Sequence, residues 1–241
     1  MIGRLMQSAA KRMARACGMC AVPRSGRLSL ETSLEKWTKR DIGGVIDVGA
    51  SDGRWTELVM RHFPAADYLL IEAQGGPHEE KLRALKARHR NVDYLIAAAG
   101  DHEGVLHFDA RDPFGGLASD TPFESGDIEV PAVTIDRVVE ERGLPGPYLL
   151  KLDTHGFETP IFEGARRTLE QTSLIIVEVY NFTLCDGALR FPEMCAFLGE
   201  RGFRPLDLFD VMHRPKDGAL WQFDLLLGRA DDKEFSSNCY D

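Results

Sequence analysis

The run Val45-Ile46-Asp47-Val48-Gly49-Ala50-Ser51-Asp52-Gly53 decides the fold class. A short apolar strand ends at a glycine-rich turn, and Trp55, Leu58, Val59 and His62 then recur at helical spacing from Arg54 to Phe63. Outward from it the same punctuation repeats. Tyr68 to Ile71 is a second strand closed by Glu72, Glu79 to His89 a charged surface helix, and Val92 to Ala97 a third strand. Leu149 to Leu152 and Leu174 to Val179 are further core strands, joined by a helix from Glu158 to Gln171. After the segment Pro192 to Arg201, Phe203 to Leu208 and Trp221 to Leu227 form a closing antiparallel pair. Short strands alternating with helices predict βαβ units, a mostly parallel sheet and helices on both faces. The stretch 105–135 breaks the rhythm. Val105 to Phe108 and Glu129 to Ile135 are expected as strands around a glycine-rich loop, Phe114 to Gly126, inserted over the binding edge as a lid.

Composition bounds the alternatives. The chain has 241 residues, 44% of them hydrophobic and 28% charged, enough for a full core and unlike a disordered or collagenous chain. Its net charge of −9 is uneven: residues 1–30 hold six basic and no acidic residues, and the remaining 211 hold 23 basic against 38 acidic. An acidic body argues against a nucleic-acid partner. No apolar run approaches the roughly 20 residues of a membrane span. Five cysteines, an odd number, read as reduced and cytoplasmic; the lone Cys17/Cys20 pair lacks a second pair and carries no metal reading. In the first 20 residues Ile2, Leu5, Met6, Ala9, Met13 and Ala16 lie at helical spacing with Arg4, Lys11, Arg12 and Arg15 elsewhere on the turn. That basic amphipathic helix reads as a packing or lid helix, or as a peripheral contact with an anionic membrane at its inner face. The expected organisation is an N-terminal helix and linker over 1–40, a catalytic domain over 41–230 and a flexible tail over 231–241.

Two constellations carry chemistry. In the first, Gly49 and Gly53 remove side chains where backbone passes close to a ligand, and Glu72 ends the next strand, where a carboxylate can accept from both ribose hydroxyls. A dinucleotide fingerprint needs GxGxxG, but position 51 is Ser, and a carboxylate at Asp47 repels a pyrophosphate. S-adenosyl-L-methionine, with a sulfonium and an ammonium beside its ribose, matches instead. Asp47, Gly49, Ser51 and Gly53 are expected to hold its methionine end, Glu72 its ribose, and Ala98 to lie near its adenine.

The second constellation is Lys151-Leu152-Asp153-Thr154-His155-Gly156-Phe157-Glu158. Asp153 falls at the carboxyl end of its strand, where open α/β sheets place ligands. His155 follows in the loop, of a residue type that can take a proton from an acceptor hydroxyl near neutrality. Asp153 and His155 are therefore the catalytic candidates, with Asp153 also touching the cofactor. Lys151 is expected to be structural, paired with Asp47, Glu178 or another carboxylate, and Glu158 to favour the helix N-terminus. Asp153, His155, Glu178 and Asn181 offer mixed oxygen and nitrogen donors, but no compact ligand motif forces a metal and none is expected.

In this order the two constellations resemble the FkbM-type methyltransferases, a group within the class I S-adenosylmethionine-dependent family. The resemblance runs from Val45 to Gly228. It includes Asp47 to Gly53, Ala98 to Asp101 with Gly104, Val130 to Asp136, Lys151 to Glu158 with Gly164 and Ala165, Glu178, Gly202 with Phe203, and Gln222 to Asp224. His155 departs from the family's usual Glu or Gln. The resemblance implies a seven-stranded Rossmann-like fold and methyl transfer, usually to a hydroxyl of a sugar, lipid-linked glycan or natural product, hence a small-molecule or glycan acceptor. The rival readings are an NAD(P)-dependent oxidoreductase or epimerase, which lacks its GxGxxG and Tyr-x-x-x-Lys, and a non-catalytic membrane-docked scaffold.

Overall fold

The computed structural model describes residues 28–240, so the expected N-terminal helix lies outside the described residues. Its elements, in chain order, are α1 (Leu30–Trp37), β1 (Gly44–Val48), α2 (Arg54–Val59), β2 (Asp67–Glu72), α3 (Gly75–Arg88), β3 (Val92–Ile96), β4 (Ala98–Ala99), β5 (Gly104–Asp109), β6 (Ala118–Ser119), β7 (Asp127–Val133), α4 (Ile135–Arg142), β8 (Tyr148–Leu152), α5 (Glu158–Glu163), α6 (Arg166–Glu170), β9 (Thr172–Tyr180), α7 (Phe191–Glu200), β10 (Phe203–His213) and β11 (Leu220–Arg229).

The main sheet has seven strands in the order β10-β11-β9-β8-β1-β2-β3. The five strands from β9 to β3 run parallel, and β11 and β10 close the sheet antiparallel, as expected. Both faces are covered, which is why the parallel strands read as near-continuous apolar runs. Ile46, Val48, Leu150 and Leu152 face the core under α4, α5, α6 and α7. Val45, Leu149, Leu174 and Ile176 face a second core, where Leu30 and Leu34 of α1 pack with Val59 of α2 and Leu82 and Leu85 of α3. Strand order reverses beside β1, so a crevice opens at the carboxyl ends of β1, β2 and β8.

Three details differ from the sequence reading. The 105–135 insertion builds a sheet of its own, in the order β4-β7-β5-β6. Ile135 begins α4 instead of ending a strand, because Thr134 is extended and its side chain caps Arg137 N. The helix expected from Glu158 to Gln171 breaks in two at Gly164 and Ala165. After β11, Asp232 and Glu234 pair with Arg40 at 2.7 and 2.8 Å.

Candidate active site

A cavity of about 360 Å³ lies at the carboxyl edge of the sheet. Gly49 and Ser51 enter it after β1, Glu72 and Gln74 after β2, Ala98 after β3, and Asp153, Thr154 and His155 after β8. Glu178 and Gln222 line it from β9 and β11, and Phe108, Pro113 and Phe114 of the insertion cover it. The insertion therefore sits where a lid was expected.

Glu72 is 7% exposed, and its two oxygens accept from Ser51 N and Gln74 N, both at 2.7 Å. Burial pushes its carboxyl up, and those two N–H groups act against the rise. Each oxygen keeps a lone pair for a ligand hydroxyl. Ser51 stands on a left-handed backbone at φ 50°, and its buried Oγ has no hydrogen-bond partner among the described residues. Gly49, at φ 72°, is required: a Cβ there would lie 2.0 Å from the Asp153 carbonyl oxygen.

Two of the expected cofactor residues do not line the cavity. Asp47 is fully buried beneath it, 3.0 Å from Lys151 Nζ, and accepts from Thr56 Oγ1 at 2.6 Å. Asp47 and Lys151 are register partners on β1 and β8, so alternation puts both on the same inner face. Burial works against the Lys151 charge, but Asp47 and Asp153 more than offset it and hold the ammonium above its usual range. Lys151 also donates to Gly49 O at 2.7 Å. Asp47 thus reaches the cofactor loop through Lys151, without direct access to the cavity. Gly53, at φ 79°, precedes α2 and faces Leu82 and Leu85. Its role is to let α2 start against α3.

On the other side of β1, His155 Nε2 lies 3.7 Å from Asp153 Oδ1 and 3.8 Å from Glu178 Oε2. His155 also holds a left-handed backbone, φ 56°. Non-glycine residues in that region concentrate at functional sites; of the three among the described residues, Ser51 and His155 line this cavity, and Asp210 lies apart in β10. Glu178 accepts from Tyr180 OH and from Gln222 Nε2. Burial, with Asp153 nearby, pushes its carboxyl up to about 7. Asn181 is not brought into the cluster; its Nδ2 donates to Leu220 O and ties β9 to β11. Glu158 does more than face a helix end: it accepts from Gly156 N at 2.9 Å and Thr154 Oγ1 at 3.2 Å, fixing the loop that carries His155.

The sequence reading gave the acceptor pocket to the 105–135 insertion and to the segment 180–190 as a whole, but assigned no individual role to Gln222, Tyr180, Gln74 or the lid aromatics. Gln222 and Tyr180 are register partners across β11 and β9, a pairing that becomes visible only once the antiparallel register is known.

None of the curated proteins matches the chain. Among solved structures it is similar to a Streptococcus pneumoniae protein assigned as a tRNA (m1A22) methyltransferase, at 12% identity over 86% of this chain and 72% of that one, TM-score 0.48. It is also similar to a Klebsiella pneumoniae protein assigned as an O-methyltransferase (14%, 83% and 77%, TM-score 0.48). A third is precorrin-6y C5,15-methyltransferase from Geobacter metallireducens (12%, 83% and 87%, TM-score 0.44). At these scores the likeness is one of loose overall shape. The model of the Methyltransferase FkbM domain matches residues 47–205, from the buried Asp47 through the cavity loops to β10. The chain therefore belongs to the FkbM methyltransferase family, with S-adenosyl-L-methionine as its cofactor.

Proposed function

We propose that the chain methylates a hydroxyl oxygen of a small-molecule or glycan acceptor. The observation that carries this reading is the convergence of His155, Asp153 and Glu178 at one part of the cavity, with the Glu72 carboxylate held across β1 from them. The cavity suits the cofactor. Its unpartnered Ser51 Oγ and left-handed Gly49 offer a polar atom and close backbone approach to a methionine end. Glu72 offers two oxygens to a ribose, and Ala98, 5% exposed, offers a small apolar wall to an adenine. Bound there, S-adenosylmethionine supplies an electrophilic methyl group on a sulfonium.

What remains for the protein is to align an oxygen with that methyl and remove the oxygen's proton. The Asp153–His155–Glu178 cluster is placed for both. The imidazole and the two carboxyl groups are the proton-accepting groups on this side of the cavity. The acidic balance of residues 31–241 supports an acceptor other than nucleic acid.

The test is transfer of an isotopically labelled methyl from S-adenosylmethionine to a fractionated cell extract, read by mass spectrometry. A labelled ether on a hydroxyl-bearing compound is expected, and labelled amines or nucleobases alone would overturn the oxygen assignment. His155→Ala should keep S-adenosylhomocysteine affinity and lower turnover at neutral pH by about a hundredfold or more. Unchanged turnover would remove His155 from the chemistry.

A further inference from the structure

At the cavity's β8–β9 side three donor atoms face one another without bonding to one another. His155 Nε2 stands 3.7 Å from Asp153 Oδ1 and 3.8 Å from Glu178 Oε2, and the cluster's ligand atoms all lie within 4.8 Å of one another. A charge-assisted hydrogen bond between imidazole and carboxylate would close to about 2.7–2.9 Å. Ligands of one small divalent ion, each about 2.0–2.2 Å from it, stand about 3–3.5 Å apart. A contraction of about 0.2–0.8 Å in the two His155 contacts would bring the imidazole to that spacing from each carboxylate.

The surroundings are those of a prepared ligand set. Tyr180 OH and Gln222 Nε2 donate to the two oxygens of Glu178, fixing that carboxylate from behind in the way outer-shell donors orient a metal-binding carboxylate. Among the described residues the Asp153 side chain accepts no hydrogen bond. Its Oδ2 lies 3.6 Å from Lys151, and its Oδ1 is the atom turned to His155. Lys151 is already committed to Asp47 and to the carbonyl of Gly49. Asp224 stands opposite Glu178 in the β9–β11 register and adds a third carboxylate to this side of the sheet. Three carboxyl groups thus crowd beside a single, already engaged ammonium.

We infer that Asp153, His155 and Glu178 bind one divalent cation of the Mg2+ or Mn2+ class, with its remaining positions open to water and to an acceptor oxygen. Two carboxylate oxygens and one imidazole suit this class better than a soft-ligand ion. The role, though not the binding, rests on the methyl-transfer reading above. A hydroxyl coordinated to the ion loses its proton to solvent more readily. The oxygen keeps the electron pair that forms the new bond to carbon. The methyl's bond to sulfur breaks, its electron pair staying on sulfur to give neutral S-adenosylhomocysteine, and the ion does not change oxidation state. His155 then serves as a ligand through Nε2.

The experiment uses the full chain, stripped with a chelator and titrated with Mn2+. Paramagnetic resonance reads the free ion, and pulsed resonance reads nitrogen coupling from a bound imidazole. One Mn2+ per chain is expected, with nitrogen coupling that disappears in His155→Asn, a residue that tolerates the left-handed backbone. Asp153→Asn and Glu178→Gln should each weaken Mn2+ binding about a hundredfold, and Tyr180→Phe, acting through Glu178, about tenfold. A cooperative thermal melt in each variant shows that the fold is intact. Absence of a bound Mn2+, or equal binding in wild type and all variants, would overturn the site. Methyl transfer undiminished in excess chelator would overturn the ion's role in the reaction and leave the methyl-transfer reading standing. Mn2+ bound as described, in a chain that transfers no methyl group to any acceptor, would uphold the site and remove that reading.

Discussion

Glu158 is 3% exposed at the start of α5 and turns its carboxylate back onto the loop that carries His155. Burial raises its carboxyl above the ordinary 4.5, against the opposing N–H of Gly156. The sign follows from linkage. Between 4.5 and the raised folded value, the folded state keeps a proton that the unfolded chain has released, so stability falls as pH rises through that window. Glu158→Gln keeps an acceptor oxygen for Gly156 and Thr154 but has no proton to lose. Its melting temperature should match or exceed that of wild type at about pH 7.5, with a flatter decline from about pH 4.5. A variant that melts lower at neutral pH and keeps the wild-type slope would show that Glu158 is ionised in the fold. Glu72 is the other carboxylate whose surroundings define its work. Because Ser51 N and Gln74 N fix both its oxygens, Glu72→Ala should weaken S-adenosylhomocysteine binding about tenfold or more in calorimetry. Equal affinity would remove the ribose assignment. The sequence identified Asp47 and Glu72 alike as strand carboxylates near a glycine turn. Only the β1–β8 register, which sets Lys151 opposite Asp47, separates the buried ion-pair partner from the ligand-facing one.

The elements were legible where one local pattern governs them. β1, β2, β8 and β9 are covered on both faces, so their apolar runs stood out against polar helices and turns. The break between α5 and α6 was not. The periodicity from Glu158 to Gln171 fits one helix, and Gly164 within it looks like an ordinary weak helix residue. In the fold a Cβ on Gly164 would lie 1.9 Å from the carbonyl oxygen of Gly100, just past β4. The chain needs a glycine there because a distant backbone passes close by. The Gly164 backbone is otherwise unstrained, with φ −79°, so the cost of Gly164→Ala is steric alone. It should destabilise by about 2–4 kcal/mol, read from the denaturant midpoint at unchanged slope. An unchanged midpoint would show that the two backbones can part by an ångström without loss. The insertion was half legible for a similar reason. Its strands showed in the sequence, but β7 pairing with Ala98 and Ala99 is a long-range contact that no local pattern reports.

At the scale of the whole molecule, the second sheet and the main sheet meet over the cavity through segment 110–118. Gln74 Nε2, after β2, donates to Asp112 O at 2.7 Å. His78 of α3 donates to Pro113 O at 2.7 Å, which places its proton on Nε2 because a carbonyl only accepts. Phe114 packs on the His78 ring at 5.6 Å between centroids, with the Arg54 guanidinium 5.8 Å from its own ring. Phe114 lines the cavity, yet it is 59% exposed. A large apolar side chain left half in water at the mouth of a cavity gains its burial when a ligand fills the space beneath. Phe114→Ala should therefore leave the melting temperature of the free protein nearly unchanged, because little buried area is lost. The difference should emerge with ligand. S-adenosylhomocysteine affinity should fall about tenfold, so at one fixed saturating concentration the ligand stabilises the variant by about 1.4 kcal/mol less than wild type. Calorimetry and thermal melts with and without ligand measure the two halves separately. If affinity is unchanged and the KM for the acceptor rises instead, Phe114 covers the acceptor side of the cavity and not the cofactor. If neither moves, the lid is a fixed wall and its aromatic tip takes no part in binding.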